Sequence, residues 1–212
     1  MERMNSFYAY LYRLRLIRRW GLMQSAVPEN VAEHSFHVAL LTHALCTIAV
    51  RVFGKEVPVE RAVMLALYHD ATEVITGDIP SPVKHHNRTI LQGFRELESL
   101  AAERLCEMVP GELRESYRPF FRDPDPELLR WVKGADLLDA YLKCVIEIAA
   151  GNREFLVAKR EIEERIRRLK MPEVDYFLEH FGPSFEKSLD ELAESEESNP
   201  GINAIETGHD GQ

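Results

Sequence analysis

Apolar residues recur every three to four positions along nearly the whole chain, and no pair of segments alternates in the two-residue period of half-buried strands. A chain patterned this way forms helices that each bury one stripe, so the expected class is all-α. Its 212 residues suit a single domain with a full core. The first helix is expected over 5–19, with Phe7, Leu11, Leu14 and Ile17 on its stripe. After a loop at 21–29, Asn30 and Glu33 have the spacing of a capping box. They open a second helix carrying Val31, His34, Val38, Leu41 and Leu45 on one face. A third is expected over 59–75, with Gly77 as its stop, and 77–87 reads as a Gly- and Pro-rich loop. The stretch 89–109 is amphipathic. Asp125-Pro126 then places an N-cap before a proline at the first helical position, opening a helix to about 150 that Gly151-Asn152 ends. Helices at 155–169, 175–181 and 185–192 complete a domain over 1–193. The remainder, 194–212, is too polar to pack and is expected to be disordered.

The formal net charge is −9, but five acidic residues of that tail, which has no Lys or Arg, carry more than half of it. No basic face suited to a long nucleic acid is evident, so no polymeric nucleic acid is expected as a partner. The basic run from Arg13 to Arg19 can still receive a small phosphate. Cys46, Cys106 and Cys144 lie inside apolar-periodic helices without metal-type spacing, as small buried hydrophobes of a reducing compartment do. The N-terminus mixes charge into its apolar residues and lacks a signal core, and no run approaches the roughly 20 apolar residues that cross a bilayer. The expectation is a cytoplasmic protein with no membrane partner. The absence of GxGxxG, P-loop, GxSxG and Cys-His nucleophile patterns argues against dinucleotide, ATP and acyl-enzyme chemistry.

Four ionisable residues interrupt the apolar stripes. His34 alone would read as a hydrogen-bonded core histidine. His69-Asp70 changes that reading, because an ionisable pair among Leu65, Leu67 and Val74 is costly to bury unless its charge is matched. Asp136, among Trp131, Val132, Leu137 and Leu138, also needs a partner, for which a Lys or Arg would serve if it stood alone. Imidazole and carboxylate are the ligands that intermediate divalent metals prefer. Gathered from three helices, His34, His69, Asp70 and Asp136 can hold one ion and leave positions open for water and substrate, the equipment of a metal-dependent hydrolase. Glu73 lies four residues past His69, on the same face of the expected helix and within reach of a metal-bound water. A purely solvated role there is disfavoured, since a negative charge at a helix C-terminus opposes the dipole. Asp78, in the loop after Gly77, is placed for acid–base work. Arg19-Trp20, at the end of the first helix, pairs a phosphate-binding fork with a flat ring, although Trp20 by itself reads as a core anchor. His37 lies about 60° from His34 around its helix and suits a supporting position, and His85-His86 read as surface.

The order His…His-Asp…Asp on an all-helical chain resembles the HD-domain superfamily of metal-dependent phosphohydrolases, and most closely its bacterial 5′-deoxynucleotidase branch. The strings that carry the resemblance are RLIRRWGLM, ENVAEHSFHVA, ALYHDATEVITGDIPSPVK, KGADLLDAYLKC, EFLVAKR and PSFEKSLDE, together covering about 5–192. It implies a single-domain HD-type helical bundle that hydrolyses deoxyribonucleoside 5′-monophosphates to deoxyribonucleosides and phosphate with one divalent ion. Co²⁺, Mn²⁺, Fe²⁺ and Zn²⁺ all suit His₂Asp₂ ligands. The resemblance implies metal ligation by His34, His69, Asp70 and Asp136, and substrate contacts from Arg19, Trp20, His34, Asp70 and Asp78. It further implies that Glu73 and Asp78 are catalytic, that Arg19 orients the phosphate and that Trp20 packs against the deoxyribose. One of Glu73 and Asp78 would handle the water and the other the departing O5′, a role assigned to Asp78. The segment 121–125 is shorter than the family's substrate-contacting loop, and members are commonly homodimers. Two other readings compete. A relative acting on a triphosphate or guanosine alarmone would want more Lys and Arg than Arg13 to Arg19 and Lys84 offer. A non-catalytic nucleotide-binding helical module should have lost a ligand or Glu73, and all are present.

Overall fold

A computed structural model describes residues 5–84, 86–122 and 124–197. The class is all-α, and the one β-type pairing among the described residues is an isolated bridge between Arg18 and Asn30. In chain order, α1 (Phe7–Leu11) precedes the long helix α2 (Val31–Arg51). The capping box forms as expected: Ala32 and Glu33 N–H donate to the Asn30 side chain at 3.0 Å, and Asn30 N–H donates to Glu33 at 3.1 Å. Such a cap stabilises a helix by about 1 kcal/mol. Val31, His34, Val38, Leu41 and Leu45 are all buried along one stripe. Next come α3 (Val59–Tyr68), α4 (Glu73–Thr76), α5 (Ser81–Lys84), α6 (Arg88–Met108) and α7 (Arg114–Phe121). The second long helix, α8 (Pro126–Ala149), opens on Asp125, whose side chain accepts the Glu127 N–H at 3.0 Å. The described residues end in α9 (Leu156–Leu169), α10 (Pro172–His180) and α11 (Leu189–Glu197).

Helices α2, α3 and α8 pack against one another around a core that includes Leu45, Leu65, Leu138 and Met171. That three-way packing brings the helix positions bearing His34, His69-Asp70 and Asp136 to one place. A smaller cluster of Phe7, Ala71, Leu105 and Val109 ties α1 and α6 to the segment just after α3. Cys46, Cys106 and Cys144 are free and buried. No helix among the described residues is long and apolar enough to cross a membrane.

Several expected boundaries are corrected. The first helix does not reach 19: α1 stops at Leu11, tightens into a 3₁₀ turn over Tyr12–Leu16, and leaves helix at Ile17. Val31 N–H donates to Ile17 O and Arg19 N–H to Glu29 O, each at 3.0 Å. These bonds across the loop take backbone groups that a longer helix would have used. Arg19-Trp20 therefore lies on an extended segment rather than at a helix end, and Trp20 turns left-handed (φ 58°). The third helix ends at Tyr68, not 75. Beyond it the hydrogen bonds run three residues back, from His69 to Ala66 (3.3 Å), Ala71 to Tyr68 (3.0 Å) and Glu73 to Asp70 (3.0 Å). Winding at about three residues per turn removes the simple stacking of Glu73 one α-turn past His69. Gly77 does stop α4, with the positive φ (72°) expected of a C-terminal glycine.

The loop expected at 77–87 contains the single helical turn α5, and α7, which carries Pro119, was not anticipated. Pro172 starts α10 before 175, because a proline fits the first helical turn. The helix expected at 185–192 is instead a 3₁₀ turn, Gly182–Glu186, followed by α11. The last four residues of α11 belong to the tail expected to be disordered, and the rest of that tail lies outside the described residues, as does His85.

Candidate metal centre

His34 comes from the first turns of α2, His69 and Asp70 from the tight turns just past α3, and Asp136 from α8. Their donor atoms converge. His34 Nε2 lies 3.3 Å from His69 Nε2, 3.3 Å from Asp70 Oδ2 and 3.5 Å from Asp136 Oδ1, and His69 Nε2 lies 3.2 Å from Asp70 Oδ2. Ligands about 2.1 Å from one ion stand about 3.4 Å apart, which these pairwise separations match. The donors of His34, His69 and Asp136 all lie within 4.8 Å of one another, and Asp70 adds its contacts with the two imidazoles. The His34 side chain is 0% exposed and that of His69 12%, while those of Asp70 and Asp136 are 26% and 27% exposed. The centre is closed on its imidazole side and open on its carboxylate side, where a substrate can enter.

The hydrogen bonds behind the two imidazoles fix what their inner nitrogens offer. His69 Nδ1 is 2.6 Å from Ala66 O, which can only accept, so Nδ1 carries the hydrogen. His34 Nδ1 is 2.7 Å from Asp139 Oδ2 and donates to it. Burial opposes the charge of Asp139, but hydrogen bonds from His34 and His37 bring its pKa down to about 2, so it is an acceptor. When both imidazoles are neutral, their Nε2 lone pairs thus face one another with two carboxylates alongside, an arrangement that favours a cation between them, whether a proton or a metal ion. Burial alone would lower the pKa of His34, yet Asp136, Asp139 and Asp70 hold it well above its usual value, a sign of the same preference. Asp70 and Asp136 are held below the carboxylate range despite burial, Asp70 chiefly by the charge of His69 and Asp136 chiefly by its hydrogen bond to His34. The ion pair expected for an isolated Asp136 is also present, with Lys133 at 3.0 Å.

Glu73 and Asp78 flank the centre in a different state. Burial and then the charges of Asp70 and Asp78 push Glu73 up to about 9, and its buried Oε2 has no hydrogen-bond partner among the described residues. Burial raises Asp78 as well, against the pull of Arg19. Arg19 reaches the site from the extended segment, with Nη1 3.1 Å from Glu29 Oε2 and 3.5 Å from Asp139 Oδ2. Trp20 donates its indole N–H to Glu29 Oε2 at 2.9 Å and sets its ring 5.4 Å from that of Phe155, packed against the main core.

Residues 6–185 match the family described as 5′-deoxynucleotidase YfbR-like. The chain belongs to that family. The 5′-deoxynucleotidase YfbR of Shigella boydii is 48% identical over 193 residues, 89% of this chain and 96% of that protein. Among solved structures, an HD-domain phosphohydrolase from Listeria innocua shares the fold with a TM-score of 0.74, over 94% of this chain and 92% of that one at 24% identity. A cyanophage S-2L HD phosphohydrolase, solved with dA and one catalytic Zn²⁺, matches with a TM-score of 0.60 over 85% of this chain and 96% of that one, at 26% identity.

Two carboxylates of this family member escaped the sequence reading. Asp139 stands one turn past Asp136 in ADLLDAYL, and a second acidic residue at that spacing in a buried stretch was the available signal. Glu29, next to the capping residue of α2, carries no local signal at all. His37 does take a supporting position, with Nδ1 3.5 Å from Asp139 Oδ1.

Proposed function

We propose that this chain is a metal-dependent 5′-deoxynucleotidase that converts deoxyribonucleoside 5′-monophosphates to deoxyribonucleosides and phosphate. The carrying observation is the pair of Nε2 atoms, 3.3 Å apart, converging with Asp70 and Asp136. The activity borne in the name of the relative from Shigella boydii, and the dA and Zn²⁺ of the cyanophage structure, support the substrate class and the metal. One divalent ion, Co²⁺ or Mn²⁺ among those its ligands suit, would be held by His34, His69, Asp70 and Asp136 and supply Lewis acidity toward phosphate oxygen and water.

The chain's own residues do the rest. Arg19 presents guanidinium donors to the charge that grows on the equatorial phosphate oxygens. Water attacks phosphorus as the P–O5′ bond breaks, Glu73 takes the proton of the water, and Asp78 gives one to O5′. Acid–base groups work best when their proton affinity lies near the working pH. The upward shift suits Asp78 as the acid, and the charge of a bound divalent ion would bring Glu73 down from its raised value into the carboxylate form that a base needs. Trp20 packs against the deoxyribose, where a 2′-hydroxyl would meet a steric and desolvation penalty, while His34, Asp70 and Asp78 border the phosphate. The working unit is a domain over 1–193, a homodimer in the cytoplasm, where three free cysteines suit a reducing environment.

Phosphate release from dAMP, AMP and dATP tests this reading. Release from dAMP should dominate, vanish on chelation and return with Co²⁺ or Mn²⁺. Full activity in protein shown to be metal-free by elemental analysis, or equal release from the triphosphate, would overturn it.

A further inference from the structure

Asp139 does not reach the open side of the centre, since its side chain is only 7% exposed, yet it touches three groups of the site. Its Oδ2 accepts the Nδ1–H of His34 at 2.7 Å and an Nη1–H of Arg19 at 3.5 Å, and its Oδ1 lies 3.5 Å from His37 Nδ1. Asp136 and Asp139 sit one turn apart on α8 and grasp opposite nitrogens of the same imidazole, Asp136 facing Nε2 at 3.5 Å and Asp139 holding Nδ1. We propose that Asp139 is the positioning residue that couples the metal centre to the phosphate-binding arginine. One oxygen fixes the tautomer and ring plane of His34 and anchors the guanidinium of Arg19, so the two meet the substrate at a set separation.

The inference rests on the metal-dependent reading above. A carboxylate behind a ligating histidine keeps the metal-facing nitrogen free of hydrogen and raises its basicity, and losing such a partner weakens metal binding roughly tenfold to a hundredfold. Arg19 keeps a second anchor, Glu29 Oε2 at 3.1 Å, so the loss of Asp139 should fall more heavily on the metal than on the phosphate.

The test is Asp139→Asn, with Co²⁺ affinity measured by competition with a chelator and kcat and KM for dAMP measured at saturating Co²⁺. Asparagine matches the shape but can turn an N–H toward Nδ1 and so favour the wrong tautomer. The inference expects Co²⁺ affinity to fall tenfold or more, with a smaller rise in KM. A folded variant whose Co²⁺ affinity and kcat/KM stay within about twofold of wild type would overturn it, whatever its melting temperature, since a merely structural aspartate moves only the latter. If Asp139→Asn does not fold, long-range ¹H–¹⁵N spectra of Zn²⁺-loaded wild type decide instead: a hydrogen on His34 Nδ1 in slow exchange supports the inference, and a hydrogen on Nε2 overturns it. Wild type that binds Co²⁺ but releases no phosphate from dAMP would overturn the nucleotidase reading and leave the affinity comparison standing.

Discussion

The two sides of the site are built to opposite standards. On the α2 and α8 side, His34, Arg19, Trp20, Glu29 and Asp139 form one closed set of hydrogen bonds in which each group has a named partner. On the α4 side, Glu73 keeps a buried oxygen without a partner and an elevated pKa, and Asp78 is shifted the same way. Groups that hold a ligand in place gain from being saturated, because each added bond removes a degree of freedom. Groups that move protons must be ready to change state, and a saturated carboxylate is a poor acid and a poor base. On the proposed mechanism, the contrast separates the groups that would position the substrate from those that would react with it.

The positioning side extends into the core, and its anchor is where disruption should have the largest effect on stability. Glu147 is fully buried, accepts Ala26 N–H at 2.7 Å, Val27 N–H at 3.0 Å and Asn152 Nδ2 at 2.8 Å, and pairs with buried Lys143. It thereby pins the loop between Trp20 and Glu29 to α8. Glu147→Ala would leave Lys143 buried without its counter-charge, held only by the Val27 carbonyl, which should reduce unfolding free energy by about 3–5 kcal/mol in denaturant titrations. Burial disfavours the charge of Glu147, but Lys143 and the loop N–H groups outweigh it and lower its pKa to about 2. Its contribution is therefore complete above the ordinary carboxylate pKa and disappears as pH falls through about 2. The acid limb of the stability–pH curve should flatten in Glu147→Gln. An unchanged limb would remove Glu147 from the account.

A smaller effect, on selectivity, separates Trp20 from Arg19. Trp20→Ala should narrow the ratio of kcat/KM for dAMP over AMP by several-fold, toward the 1–3 kcal/mol span typical of a single pocket contact. Arg19→Ala should weaken both substrates alike. An unchanged ratio in Trp20→Ala would leave that residue as the anchor that its contacts with Phe155 and Glu29 also describe.

The legible parts of the molecule were those written in local chemistry. The capping box at Asn30, the Asp125-Pro126 start of α8 and the glycine stop at Gly77 all depend on neighbours in sequence, and all form. The four converging donors were also legible, because ionisable residues on apolar stripes are conspicuous. The turn of the chain at Ile17 was not, since it depends on backbone bonds to Glu29 and Val31 across a loop. The break after Tyr68 was hidden for a similar reason: Ala71 is drawn into the cluster of Phe7, Leu105 and Val109, which no local pattern announces. Glu29 and Asp139 act through partners distant in sequence, so their roles emerge only once the helices are assembled.

The proposed division into a metal-holding cluster and an uncommitted acid–base pair is tested most directly by measuring bound metal and turnover together in Asp70→Ala and Glu73→Gln. Asp70→Ala should lose both. Glu73→Gln should keep its metal near the wild-type level while kcat for dAMP falls by about 10²-fold or more. Metal content that fell in step with activity in Glu73→Gln would make Glu73 part of the cluster and contradict the division.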